Sequence, residues 1–493
     1  MSAGGGLSPA KRALLERALR ERRGQTQADA AIPRRADRST APLSFSQHRM
    51  WFLQQWEPAA PTFNGARAIR IRGPLDVAAL ARAFATVLDR HESLRTVVAA
   101  EPQPHQVVLA DHRFELGVLE LGADGDLTAT LRELAREPFD LSADLMLRAT
   151  LIRIAAEEHV LLIRMHHIAA DAHSDRVLFD ELSELYDAAR AGRAPRLPEL
   201  PIQYADYAAW EQQRMAGPAL GTLAAYWARA LEGAPALLRL PTDRPRPPIQ
   251  RHEGAHREFA LPAALAAELT ALGREQGATF YMVMLAVFAT LLYRWSGEDD
   301  VVIGSPIAAR NRLELQGLIG FFTNTLALRV RLAGNPSFRE VLTRARGTAL
   351  GAYEHQDLPF DKVVETLRPR RDPSYNPLFQ VNFRAQATQR PGLALSGLET
   401  EPITVDIGFS RFDMALELES RADALAGYFE FDRDLFDEAT IVELVDDLDA
   451  LLAGVAADPD APVLTIALPH GRRRPAPGPG PAGGMRRRAR PAG

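Results

Sequence analysis

The chain of 493 residues has no cysteine. That absence removes a disulfide framework, a thiolate metal site and a cysteine nucleophile together. No uncharged apolar run is long enough to cross a bilayer, and the opening residues, MSAGGGLSPAKRALL, hold no apolar signal-peptide core. No membrane partner is expected, and the cytoplasm is the expected compartment. Large net charge is missing too, but the total of −5 is unevenly shared. Residues 1–40 carry nine basic and four acidic side chains and residues 472–493 carry seven arginines and no acid, which leaves the body between them at −17. A nucleic-acid binder gathers positive charge on a folded face, so an acidic body with basic ends argues against that partner.

What is present is the composition of a globular protein, 46% hydrophobic and 25% charged. The length exceeds what one ordinary core serves, so two or more domains are expected. LSPAKRALLERALRERRG (7–24) reads as a short helix with Ser8 as N-cap and Pro9 in the first turn, followed by a polar linker. AIRIRG predicts a strand, and the next segment a helix capped by Asp76, with Leu80, Phe84, Val87 and Leu88 at the helical period. HVLLIRM (159–165) predicts a buried strand, and SDRVLFDELSELYDAAR an amphipathic helix with Ser174 placed to cap it. TFYMVMLAVFATLLYRW (279–295) is apolar all round, hence a buried helix, and DVVIGSP a core strand. Proline-rich breaks at 194–201 and 240–250 suggest two halves. The expected division is a helix and linker at 1–41, subdomains at 42–215 and 216–470, and a Pro/Gly/Arg tail at 471–493 that cannot build a core.

RMHHIAADAHSD (164–175) leaves the buried strand and enters the helix. Adjacent residues of an extended chain point to opposite sides, so His166 and His167 do not readily share a metal, and no zinc-type helical spacing accompanies them. One histidine facing a cleft could serve as a base, while the other is held by packing. Asp171 could fix the loop by pairing with a distant arginine. A plain structural turn is an equal reading of these dozen residues alone. A nucleophile elbow of the G-x-S-x-G kind is absent.

The loop does not stand alone. MHHIAADAHS resembles the HHxxxDG motif of nonribosomal peptide synthetase condensation domains, within the HHxxxD acyltransferases. SFSQHRMWFL (44–53), RHESLRT (90–96), YADYAAW (204–210), IGFFTNTLALR (319–329), HQDLPFDKVVE (355–365) and RRDPSYNPLFQ (370–380) resemble further motifs in family order. The resemblance covers residues 42–470 and implies an α/β fold: two chloramphenicol-acetyltransferase-like subdomains in a V-shaped pseudo-dimer with a central tunnel, sufficient as a monomer. It implies that carrier proteins dock at the two tunnel mouths and deliver substrates on phosphopantetheine, and that the chain itself binds no cofactor or metal. An acceptor α-amine then attacks a donor thioester to form an amide.

By match to the motif, His167 is the implied catalytic histidine. His166 and Asp171 are implied as structural, Asp171 through a salt bridge to Arg310, with Ser174 in support. Ala172, His173 and Asn324 are implied tunnel-lining residues, and Arg95, Gln356 and Asp357 fold-keeping ones. The chain departs from the motif where glycine gives way to Ala172 and an aromatic to His173. Alanine demands a negative φ, so a slightly reshaped loop is expected. Both histidines are intact, unlike branches that form heterocycles or recruit oxygenases. No adenylation or carrier domain follows residue 470, so action in trans on donor and acceptor carriers or modules is expected, with the N-terminal helix a candidate docking element. Two alternatives stay open: an ester- or amide-forming acyltransferase with a free acceptor, and a silent scaffold that docks carrier proteins.

Overall fold

The computed structural model describes residues 31–471 except 59, 218, 387–391 and 421–424. The helix expected at 7–24 and the tail at 472–493 lie outside the described residues. The first half contains β1 (Thr40–Pro42), α1 (Phe45–Trp56), β2 (Asn64–Arg72), α2 (Val77–Arg90), β3 (Thr96–Ala99) and β4 (His105–Val108). It continues with β5 (Gly117–Glu120), α3 (Leu127–Arg136), β6 (Leu147–Ala155), β7 (Glu158–His166), α4 (Ala172–Arg190) and α5 (Tyr204–Met215). The second half opens with α6 (Ala219–Ala230), β8 (Gly254–Leu261), α7 (Ala263–Glu275), α8 (Phe280–Ser296), β9 (Asp300–Ile307) and β10 (Asn324–Arg331). It ends with α9 (Phe338–Glu354), α10 (Phe360–Leu367), β11 (Val381–Gln386), β12 (Glu399–Ile403), β13 (Met414–Ser420), β14 (Leu425–Asp432) and α11 (Glu438–Ala457).

Local sequence explains the main elements. Asp76 caps α2 by accepting the Ala79 N–H at 2.8 Å, and the Leu80, Phe84, Val87 and Leu88 stripe is fully buried. α8 is buried on every side from Met282 to Leu292, is capped by Thr279, and stops at Gly297, whose φ of 72° suits a residue without a Cβ. No single helix among the described residues is long and apolar enough to cross a membrane. β7 lies between β2 and β6, antiparallel to both. Leu161, Ile163 and Met165 enter the larger first-half core, while Val160 and Leu162 join a small cluster with Leu131 of α3. Coverage of both faces is why this strand is a continuous apolar run.

The described residues form three sheets, ordered β1-β4-β3, β12-β2-β7-β6-β5 and β10-β9-β11-β13-β14-β8. Two large cores correspond to the two halves, one around α2, α4 and β7, the other around α8, α9 and α11. The halves trade chain. β12 pairs antiparallel with β2 as the edge of the first-half sheet, with Glu399 opposite Arg72. Leu315, Leu318, Ile319, Phe321 and Phe322 likewise pack into the first-half core, whereas Met215 packs into the second. This is the mixed α/β pseudo-dimer of acetyltransferase-like halves, and its exchanged segments bring second-half residues against the histidine loop.

Candidate active site

At the end of β7 the two histidines part. His166 continues the strand inward, is 1% exposed, and lies between the rings of Phe63 and Phe139, with centroids 6.1 and 5.8 Å away. Its Nδ1 accepts the Ile168 N–H at 3.1 Å, so the proton sits on Nε2, which has no hydrogen-bond partner among the described residues. Burial, with the nearby Arg411 charge adding to it, pushes its pKa down to about 3. It is a neutral packing residue.

His167 turns the other way and is half-buried. Its N–H donates to Phe63 O at 2.8 Å, and its ring centroid lies 6.2 Å from that of Phe321. Nδ1 is 3.1 Å from Ala170 O. A carbonyl only accepts, so Nδ1 carries the proton and Nε2 keeps a lone pair. Burial, followed by the field of Arg411, holds its pKa well below the ordinary histidine value. Backbone groups thus set the adjacent imidazoles in opposite tautomers, and one of them retains a free basic nitrogen.

Asp171 is the hub behind the loop. Its Oδ1 accepts from Ser174 N at 3.0 Å, Ser174 Oγ at 2.8 Å and Arg310 Nη2 at 2.9 Å, and its Oδ2 from Phe322 N at 3.1 Å. Arg310 Nη1 donates to Leu315 O and Leu318 O at 2.6 and 2.7 Å, and its guanidinium lies 4.1 Å above the Phe322 ring. The pair is nearly sealed, with side chains 2% and 1% exposed. Ser174 is not the N-cap that its position suggested. α4 starts at Ala172, Asp171 caps it, and Ser174 in the third helical position returns a bond by accepting Asp171 N–H at 3.2 Å. A carboxylate also suits the positive end of the helix better than a hydroxyl. Ala172 takes the negative φ that an alanine demands. It occupies the first helical position and is not among the residues with positive φ, so the motif's glycine is not needed for its conformation here.

The remaining candidates lie further from the histidines. Ala172 is exposed, and His173 Nε2 lies 3.0 Å from Gln316 O in the exchanged 313–322 segment. Asn324 spends its amide on backbone, donating to Gln356 O and Leu358 O at 2.8 Å each and accepting Phe360 N–H at 3.0 Å. Gln356 donates to Tyr353 O, Asp357 pairs with Arg214 at 2.8 Å, and Arg95 Nη1 donates to Leu109 O at 2.6 Å. Asn324, Gln356 and Asp357 line a cavity of about 130 Å³ with Tyr207, Trp210 and Glu211, not the surroundings of His167. The split occurs at two neighbours, for Phe321 faces His167 while Phe322 lines the cavity. Glu211 there accepts from Phe45 N and Tyr207 Oη, and burial raises its pKa to about 7.

Arg411 escaped the sequence reading. It lies between β12 and β13 in FSRFDMAL, a stretch with no periodicity or spacing to mark it, and only the tertiary fold brings it to the histidines.

A pseudo-dimer with a tautomer-locked histidine at its inter-half loop is an acyltransferase of the HHxxxD kind, and the comparisons make the family specific. The Condensation domain family model matches residues 37–474. The chain is 42% identical over 479 residues to phosphinothricin tripeptide synthetase PhsC of Streptomyces viridochromogenes, covering 93% of this chain and 44% of that protein. It is 40% identical over 443 residues to malpibaldin synthetase of Mortierella alpina, covering 89% of this chain and 8% of that protein. The chain therefore spans less than half the length of these relatives. The X-domain from teicoplanin biosynthesis superimposes with a TM-score of 0.83 at 31% identity, over 89% of this chain and all of that one, and it is also solved as a complex with OxyB. The chain belongs to the condensation-domain family.

Proposed function

We propose that the chain joins two carrier-borne substrates: an aminoacyl α-amine attacks an acyl or peptidyl thioester, the C–N bond forms and the C–S bond breaks. The observation that carries this reading is the free Nε2 of His167, kept unprotonated while Nδ1 is tied to Ala170 O. That nitrogen takes the proton released by the amine and returns it to the departing thiolate. Donor and acceptor carrier proteins, in cis or in trans, are the partners, both substrates ride on the carriers' phosphopantetheine, no cofactor is resident, and the setting is the cytoplasm.

Magnitudes define the histidine's share. An α-amine has a pKa of about 7.7–8.0, so part of it is already neutral near pH 7. General-base help is worth roughly 10²–10⁴-fold, whereas alignment of two bound reactants supplies about 7–11 kcal/mol. Positioning dominates, and His167 manages the proton. A second reading, a docking scaffold, draws support from the likeness to an X-domain that forms a complex with OxyB. Intact-mass spectrometry of a loaded donor carrier with alternative acceptors separates the readings. Amide formed only with a carrier-bound amine is expected. Product with a free amine or alcohol would reassign the acceptor, and no product with any pair would leave the scaffold.

A further inference from the structure

We propose that Arg411 is a positioning residue for amide formation, a clamp that reaches from the second half onto the Thr62–Phe63 turn and through it fixes the backbone of His167. The inference rests on the reading of His167 as the proton-handling group. Arg411 Nε and Nη2 both donate to Thr62 O, at 3.1 and 2.8 Å, and the guanidinium lies 5.4 Å from the Phe63 ring centroid. The next carbonyl, Phe63 O, accepts the His167 N–H at 2.8 Å, and the Phe63 ring meets His166 edge-on. One side chain from the loop before β13 thereby reaches both histidines through a two-residue turn.

The charges around this clamp set a second effect. Arg67 of β2 faces His167 but is paired with Asp175 of α4 at 2.7 Å. Arg384 of β11 is paired with Glu417 of β13, and Arg49 of α1 lies 3.6 Å from Asp361 of α10. The Arg411 guanidinium forms no ion pair among the described residues. Glu430 of β14 is the acid nearest to it in effect, accepting the Arg411 backbone N–H at 3.4 Å. Burial brings the Arg411 guanidinium down to about 10, Glu430 opposing and Arg384 and Arg49 adding to the shift, so it keeps its charge at neutral pH. After burial, that charge is the largest influence holding His167 unprotonated, with Arg67 adding less. Because Arg411 and the histidines come from different halves, base readiness depends on the halves being closed on each other.

The test compares R411A, R411K and R411Q in the intact chain. In R411A, amide hydrogen exchange at His167 should quicken, the His167 side-chain NMR titration should move to higher pH, and kcat should fall by about 10²-fold with the acceptor KM nearly unchanged. R411K keeps the charge and a donor but not the fork, so its titration should stay near that of the wild type while turnover returns only in part. R411Q keeps a donor without charge and should move the titration while sparing the exchange; it also carries the test if R411A does not fold. Unchanged exchange and titration on loss of the guanidinium would overturn the clamp, as would a loss confined to KM. H167A separates the two ideas. If it retains full turnover while R411A still shifts exchange and titration, the clamp stands and the catalytic reading of His167 falls.

Discussion

Two stretches of this protein share a skeleton and differ in use. In the first half, β7, antiparallel to β6, ends at His166, four residues separate it from Asp171, and Asp171 opens the 19-residue α4. In the second half, β14, antiparallel to β13, ends at Asp432, four residues separate it from Asp437, and Asp437 opens the 20-residue α11. Each last strand residue is buried and each helix begins after an aspartate. Yet Asp171 is sealed under Arg310, while Asp437 makes no side-chain cap and pairs with Arg244 in solvent. His167 faces Phe321, whereas its counterpart, Arg433, donates its N–H to Glu253 O and its neighbour Asp434 pairs with Arg251. The comparison teaches that a strand–loop–helix corner is only a mount. Chemistry needs a loop that the other half covers and a side chain with an unspent nitrogen.

The comparison breaks most sharply at the loop's second residue. H167A should cut amide formation by roughly 10²–10⁴-fold with little change in melting temperature, while R433A at the matching position should leave turnover untouched. Intact-mass assays and thermal melts of the two variants test this together; equal turnover in both would erase the distinction. The caps come next. D171A leaves Arg310 buried without its partner and should cost about 3–5 kcal/mol in urea unfolding, against under about 1 kcal/mol for D437A, whose pair is exposed.

The last strand residues should respond to pH with opposite signs. His166 has its pKa lowered to about 3, so between pH 3 and 6.5 the unfolded chain binds a proton that the folded chain refuses. Stability from this group is present above pH 6.5 and is lost on acidification through that window, by up to about 4 kcal/mol. Asp432 is raised to about 6 by burial, so its folded form holds a proton that the unfolded one has released. Stability from this group is lost as pH rises from 3.8 towards 6. Melting curves of H166F should therefore fall less steeply in acid than those of the wild type, and D432N should gain near pH 7; parallel wild-type and variant curves would refute both assignments. The smallest effect belongs to the departure from the family motif. A172G, which restores glycine at a helical position, should leave turnover unchanged and lower stability by no more than about 1 kcal/mol in the same urea assay.

Much of this was legible in the chain. The helix behind Asp76, the buried β7 and the all-apolar α8 follow from local rules, because capping and periodicity are written in neighbouring residues. The opposite directions of His166 and His167 follow from strand alternation, and motif order points to the Arg310 partner of Asp171. The Ser174 cap was misplaced because a hydroxyl and a carboxylate both cap, and only the loop's backbone path decides between them. Glu211 and Arg411 left no sequence signal, since burial and field depend on what packs around a group.

By itself, then, the sequence determined the alternation that turns one histidine in and the next one out, the buried strand that carries them, and the absence of any thiol chemistry. Tertiary structure decided that Asp171 meets Arg310 and the Phe322 N–H, and that Arg411 reaches the turn holding His167. The reason is physical. Periodicity, capping and the backbone bonds that set each tautomer act over a few residues of one chain segment, whereas the Arg310 and Arg411 contacts join groups 139 to 349 positions apart that only the exchanged halves bring together.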